Sequence, residues 1–95
     1  MSEIRRLRGQ LAVIEIRRQA QLENAEYYRS LADRARSLRD SPPDVSRTYE
    51  HQREMDQRAA RATADADRSQ QQAELSLNEI RGIERELSYR ARQER

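Results

Sequence analysis

The chain has 95 residues, 19 of them arginine and 17 acidic, and it contains no lysine. Charged residues make up 38% of it, whereas leucine, isoleucine and valine together number only fifteen, and phenylalanine and tryptophan are absent. So little apolar material cannot surround a catalytic pocket with a layered core, but it suffices for one seam between two helices.

The most abundant residues favour a helical fold. Alanine, glutamate, leucine and arginine account for fifty of the 95 residues, which is the composition of long helices and coiled coils. The net charge of +2 is too small to favour disorder. We therefore expect a single folded domain over 1–95, and we do not expect an enzyme.

Several classes of protein are excluded by what the sequence lacks. Without cysteine there is no disulfide, no thiolate metal site and no cysteine nucleophile. No run approaches the roughly 18 apolar residues of a membrane span, and residues 1–6 contain no apolar signal region. We expect a cytoplasmic protein with no membrane span, and any export would use a signal that is not cleaved from the N-terminus.

Heptad spacing predicts a first helix over 2–40. Apolar residues recur at alternating intervals of three and four, and Arg18 and Gln21 occupy two seam places in the middle of the run. The apolar seam positions are Ile4, Leu7, Leu11, Ile14, Ala25, Tyr28, Ala32 and Ala35. The pattern predicts one continuous apolar seam with a polar interruption.

A sharp corner is predicted over 40–44. Pro42 and Pro43 cannot donate backbone hydrogen bonds, and the residue before a proline is pushed out of the helical region. Ser41 suits the N-cap of a second helix, Pro42 suits its first position, and Asp44 suits the acidic half of a capping box. These four residues form the predicted structural corner.

A second helix is predicted over 42–94, with a seam that is weaker in the middle. The register that we favour contains Val45, Tyr49, Ala59, Ala66, Ala73, Leu77, Ile80, Leu87 and Ala91. The same register places polar side chains at the seam positions Gln52, Asp56, Thr63 and Gln70. The large apolar residues therefore lie towards the two ends of this helix.

The two helices predict an all-α fold, an antiparallel two-helix hairpin of coiled-coil type whose second helix is longer than the first. A tight corner at 40–44 implies that the numbers of facing residues add up to roughly 81 to 85. The second helix then extends beyond the first by about a dozen residues. This leaves Leu87, Tyr89 and Ala91 without a partner in the chain.

Two groups of apolar residues are the candidates for binding a partner. The first group lies beside the seam, where it either broadens the stripe within the hairpin or forms a second face. It consists of Val13, Ile16, Leu22, Leu31 and Leu75. The second group, on the protruding end of the second helix, consists of Ile83, Leu87, Tyr89 and Ala91. An exposed apolar stripe on a long helix is typical of a helix–helix interface, so we expect a helical protein partner or a homo-oligomer.

The sequence predicts no catalytic residue, no metal site and no cofactor. His51 is the only histidine, and its helical neighbours, which include Glu54 and Met55, do not supply a nucleophile, a base and an orienting group. His51 and Glu54 are one helical turn apart, but two ligands do not form a metal site.

An arginine-rich protein that associates with nucleic acid is the alternative function, because arginine suits phosphate geometry and the isoelectric point is about 9.5. The candidate patch consists of Arg5, Arg6, Arg8, Arg81 and Arg85. Residues 1–22 carry a net charge of +3, but acidic residues are interleaved throughout the chain. A dedicated binder shows a much larger basic excess, so we favour a protein partner over nucleic acid.

Two long helices joined at a sharp corner near the middle, with a protruding C-terminal helix, resemble the WXG family of type VII secretion and the small helical partners that accompany larger toxins. The resemblance covers the whole chain and concerns its architecture. Ser41-Pro42-Pro43-Asp44 stands where that family has Trp-x-Gly. Tyr89 is followed four places on by Gln93, where the family's export signal has an acidic residue. The resemblance implies a secretion adaptor or targeting partner.

Overall fold

The computed structural model describes residues 2–40 and 48–93, which form two long helices. Helix α1 spans Ser2–Arg39 and helix α2 spans Thr48–Gln93, with lengths of 38 and 46 residues. They lie side by side in a rod of 75 × 14 × 13 Å. The predicted all-α hairpin, with the second helix longer than the first, is confirmed. The predicted corner, Ser41 to Asp44, lies outside the described residues. In the described ranges, neither helix is long and apolar enough to cross a membrane.

The seam predicted for α1 is the one that the structure contains. Leu7, Ala25, Ala32 and Ala35 are buried, with exposures of 6% or less. The remaining seam positions are half-buried, and they are Ile4, Leu11, Ile14, Arg18, Gln21 and Tyr28. Heptad spacing of large aliphatic side chains is enough to determine the inner face of this helix.

The register predicted for α2 is half right. Every second predicted position from Ala59 to Ile80 is buried. The intervening seam positions lie one residue earlier than predicted, so that the buried residues are Met55, Ala59, Ala62, Ala66, Ser69, Ala73, Ser76 and Ile80. This register places the apolar Met55 in the seam and leaves the carboxylate of Asp56 exposed. It is favoured because burial of an unpaired charge is costly.

The offset between the two helices differs from the predicted one. Arg17 Nη2 lies 2.8 Å from Glu79 Oε2, and Arg90 Nη2 lies 3.9 Å from Glu3 Oε1. The numbers of facing residues therefore add up to 96 and 93 at these two contacts. The smaller sum predicted from a tight corner is wrong, because these contacts pair each residue of α1 with a residue further along α2 than predicted.

The predicted protrusion of α2 at its C-terminal end is also wrong. The last turns of α2 lie against the first turns of α1, and Ile83 and Leu87 are half-buried there. The additional length of α2 lies at the other end, because Arg39 already faces Asp56, with Arg39 Nε 2.8 Å from Asp56 Oδ1. The N–H of this nitrogen does not point at the carboxylate, so the contact is an ion pair without a hydrogen bond.

A small polar cluster crosses the seam near the polar interruption of α1. Ser76, only 2% exposed, donates a hydrogen bond from Oγ to Gln21 Oε1 at 2.8 Å and accepts one from Arg17 Nε at 3.2 Å. Arg17 Nη2 in turn donates to Glu79 Oε2 at 2.8 Å. A slip of one helix along the other would leave the buried hydroxyl unpaired, so this cluster favours a single register.

Candidate partner-binding face

The seam divides the surface of the hairpin into two flanks. Side chains one residue before a seam position lie on one flank, and side chains one residue after a seam position lie on the other. Contacts between the helices agree with this division. Arg17 and Glu79, which both precede seam residues, meet on the first flank. Arg29 and Gln70, which both follow seam residues, meet on the second, where Arg29 Nη2 donates to Gln70 Oε1 at 3.1 Å.

Exposed apolar side chains are concentrated on the first flank, which we call the apolar flank. Its exposed large apolar residues, with exposures from 38% to 65%, are Val13, Tyr27, Leu31, Leu38, Leu75 and Tyr89. On the second flank, which we call the polar flank, Leu22 and Leu77 are half-buried and Tyr49 is exposed near one end. Association is driven by burial of apolar surface, so the apolar flank offers a partner the most favourable contact.

An open groove runs along the apolar flank at the end where the N-terminus of α1 meets the C-terminus of α2. It has a volume of about 720 Å³. Its walls include Gly9, Val13, Ile14, Gly82 and Ile83, and the Arg17–Glu79 ion pair borders it. Apolar walls with a few charged groups at the border are typical of surfaces that bind another protein.

The two glycines of the chain, Gly9 and Gly82, both border this groove. Apart from the neighbouring backbone of its own helix, a β-carbon added at either position would meet no atom within 4 Å, so the packing of α1 on α2 does not require glycine there. Each glycine costs about 1 kcal/mol of helix stability relative to alanine. In exchange, a helix seated in the groove can approach the backbone of the hairpin more closely.

The residues predicted to bind a partner fall into three groups in the structure. Those exposed on the apolar flank are Val13, Leu31, Leu75 and Tyr89. Those half-buried in the seam or beside it are Leu22, Ile83 and Leu87. Those exposed elsewhere on the hairpin are Ile16 and Ala91. The first group is the part of the prediction that the structure brings together on one face.

Sequence reasoning missed Tyr27, Leu38 and the two glycines as parts of this face. Tyr27 and Leu38 each stand one residue before a seam position of α1, which is a signal that the sequence contains. The signal can be read only after the seam has been assigned correctly. On α2 the predicted register concealed this signal at Gly82, because Gly82 precedes Ile83, a seam position that the predicted register omits.

The arginines of the predicted basic patch are divided between the flanks. Arg6 donates a hydrogen bond to Glu3 on the apolar flank, and this bond lowers the pKa of Glu3 and raises the pKa of Arg6. Arg5, Arg8 and Arg81 each follow a seam position and therefore lie on the polar flank. The exposed ion pair at Glu3 contributes little to stability. Arg6 is therefore separated from Arg5, Arg8 and Arg81.

His51, on α2, contacts the backbone at the C-terminal end of α1. Its Nε2 lies within hydrogen-bonding distance of the backbone oxygen of Leu38, one of the last carbonyls of α1, which has no partner within the helix. A carbonyl oxygen only accepts, so Nε2 is the donor. Among residues 2–40 and 48–93, no three histidine, cysteine, aspartate or glutamate side chains are grouped closely enough to hold a metal ion.

Comparison with known proteins gives no match. No protein-family model matches the chain, and neither a curated protein nor a solved structure matches it. The fold and the surface therefore define its class, which is that of a helical hairpin with one apolar flank.

Proposed function

We propose that this protein is a non-enzymatic helical interaction protein that binds a helical protein partner, or a second copy of itself, along the apolar flank. The observation that carries this proposal is the exposure of Val13, Leu31 and Leu75 on a single flank, one end of which contains an apolar groove. Exposed apolar surface gathered on one side of a helical rod is typical of a helix–helix interface.

The shape of the groove favours a helical occupant. On α1 its wall follows Gly9, Val13 and Arg17, and on α2 it follows Glu79 and Ile83, all at intervals of one helical turn. These rows run along the hairpin, so an occupant that contacts both of them over several turns must be elongated in the same direction. A helix satisfies its own backbone hydrogen bonds while it presents an apolar row to the groove.

The composition of the seam also favours a partner. Most buried residues of the hairpin are alanine or serine, and the large buried side chains are Leu7, Met55 and Ile80. Two helices with so little buried apolar surface form a marginal fold. A partner that binds only the folded hairpin adds to this burial and stabilises the fold by mass action.

Within this function we propose, more narrowly, an adaptor or targeting role in a type VII-like secretion system. The helical-hairpin architecture supports it. Tyr89 and Gln93 do not match the family's export signal, because Gln93 stands where that signal has an acidic residue, and this favours an adaptor or targeting partner over an exported protein. Deletion of the gene should reduce export of the products of adjacent genes, measured by immunoblotting of the culture medium. Unchanged export of all of them contradicts this narrower role.

Photo-crosslinking in the native host tests the general proposal. A photoreactive phenylalanine analogue is placed at Val13 or Leu75 on the apolar flank. The matched controls are the adjacent residues Ala12 and Glu74, which are exposed on the polar flank. We expect the first pair to form covalent products with one identifiable protein or with the chain itself, and the controls to form few. Equal yields from the two flanks, or no products at all, contradict the proposal.

A further inference from the structure

We propose that the apolar flank binds a second copy of this chain, with the twofold axis parallel to the hairpin, so that α1 of each copy packs against α2 of the other. This inference rests on the proposed function and names the occupant of the groove. The product is a four-helix bundle in which each helix is antiparallel to both of its neighbours.

Side chains of unlike size stand at the same level on the two helices of the apolar flank. In the register set by the contacts between the helices, Val13 is level with Gly82, and Ala20 is level with Leu75. A twofold axis along the hairpin therefore places Val13 against Gly82 of the second copy and Ala20 against its Leu75. Large side chains then lie beside small ones at both levels, as close packing requires.

Charge selects this arrangement over the alternative in which α1 packs against α1. Between positions 10 and 24, the part of α1 that belongs to the apolar flank contains one charged side chain, Arg17. At the same level on α2, between positions 72 and 86, the charged side chains of the flank are Glu79 and Glu86. With α1 against α2 of the second copy, the two Arg17–Glu79 pairs form a ring of alternating charge. With α1 against α1 and the twofold axis at the level of this ion pair, Arg17 of one copy meets Arg17 of the other, and juxtaposed like charges are unfavourable.

The proposed dimer also explains why Gly82 stands inside α2. Gly82 lowers the stability of the isolated hairpin, where an added β-carbon would meet nothing within 4 Å. In the dimer, the space left by the missing side chain admits Val13 of the second copy. Gly9, on the opposite wall of the groove, likewise leaves room for α2 of the second copy.

Sedimentation equilibrium of the purified full chain tests the inference. We expect a dimer that dissociates on dilution. Gly82→Leu fills the groove and should raise the dimer dissociation constant by about tenfold or more. Ala64→Leu is the matched control, because Ala64 is exposed and lies two residues from the nearest seam positions, and its dissociation constant should match that of the wild type. Circular dichroism of both variants checks that the helices are retained.

The absence of cysteine allows the arrangement itself to be tested. Chains with Ala20→Cys and chains with Leu75→Cys are oxidised separately and as a mixture. The proposed arrangement predicts disulfides between unlike chains in the mixture, because position 20 of one copy faces position 75 of the other. Disulfides mainly between like chains overturn the arrangement.

The outcomes separate this inference from the proposed function. A purified chain that is monomeric at every concentration, or a dimer that is insensitive to Gly82→Leu, overturns the second-copy inference. Crosslinks from Val13 to a different protein in the host would then still support the proposed function. Crosslinks from Val13 to the same chain support both.

Discussion

The two halves of the hairpin fill their seam with different side chains. In the alanine half, which we define as 25–39 of α1 with 55–73 of α2, the seam alanines are all buried, with exposures of 7% or less. In the aliphatic half, 4–14 of α1 with 80–90 of α2, Leu7 and Ile80 are buried, but Ile14, Ile83 and Leu87 remain half-buried. The half with the larger side chains is therefore the less completely closed.

The difference shows how the size of the seam side chains determines how completely the seam is closed. Small side chains let the helices approach closely and close the seam without residual apolar surface. In the aliphatic half, by contrast, larger seam side chains remain half-buried, and this half also contains both glycines and most of the residues that line the groove. On the proposed function, the alanine half supplies most of the closed seam, whereas the apolar flank along both halves and the groove in the aliphatic half contact the partner.

The largest expected effect on stability is at Ile80, the most deeply buried aliphatic residue of α2 in the aliphatic half. Ile80→Ala should lower the free energy of unfolding by about 2–5 kcal/mol, because it removes a buried side chain and leaves a cavity. Leu87→Ala, at a half-buried seam position, should cost about 1 kcal/mol. Urea denaturation at one low protein concentration compares the two variants. Equal losses would remove the distinction between the closed and open parts of the aliphatic half.

The next effect tests whether the alanine half is closed. Ala66 is 1% exposed in the seam, so Ala66→Leu should force the helices apart and cost about 1–3 kcal/mol. Ala64→Leu, two residues away on the exposed side of the same helix, should change stability by less than about 0.5 kcal/mol. Thermal unfolding followed by circular dichroism measures both. If Ala66→Leu is tolerated as well as its control, the alanine seam is not closely packed.

A smaller effect on stability is expected at Ser76, which lies where the two halves meet. Ser76→Ala removes the hydroxyl that pairs with Gln21 and should cost about 1 kcal/mol, since it leaves a half-buried amide oxygen without its donor. Ser88→Ala, at an exposed position, is the matched control and should be neutral. The comparison is made by urea denaturation. A neutral Ser76→Ala would mean that the polar cluster does not favour the register.

The smallest expected effect on stability is that of the Glu3–Arg6 pair, at the end of the aliphatic half. The hydrogen bond from Arg6 holds the pKa of Glu3 below its ordinary value in the folded chain. The contribution of Glu3 to stability is therefore present at neutral pH and is lost as the pH falls through the lowered pKa. An NMR titration of the Glu3 carboxyl carbon should give a lower midpoint in the wild type than in Arg6→Gln. Equal midpoints would show that the bond is not formed in solution.

The inner face of α1 could be predicted because it starts from large aliphatic residues. Ile4, Leu7, Leu11 and Ile14 define a heptad register over about three turns, and few alternatives bury all of them. The alanines further along the helix then follow at the same spacing. The polar interruption at Gln21 was also predicted, but its pairing with a buried serine was not, because serine is equally common on helix surfaces.

The inner face of α2 was predicted only in part because alanine gives little information about burial. Ala60, Ala62 and Ala64 are close in sequence, yet Ala62 is buried and the other two are exposed. The offset between the helices, and with it the partner-binding face, was not predicted, because the prediction assumed a tight corner, whereas the contacts place Arg17 beside Glu79. The residues of the apolar flank can be identified only when the seam registers of both α1 and α2 are correct.

The assignment of partner binding to the apolar flank is tested most directly by light scattering on the protein isolated from its native host. The wild type should have a mass above the 11.3 kDa of a single chain. The control variant Ala12→Glu/Ala60→Glu adds charge to exposed positions of the polar flank, and its mass should also exceed that of a single chain. Val13→Glu/Leu75→Glu should have the mass of a single chain and retain its helices. A wild-type mass of 11.3 kDa, or equal masses for the two double variants, contradicts the assignment.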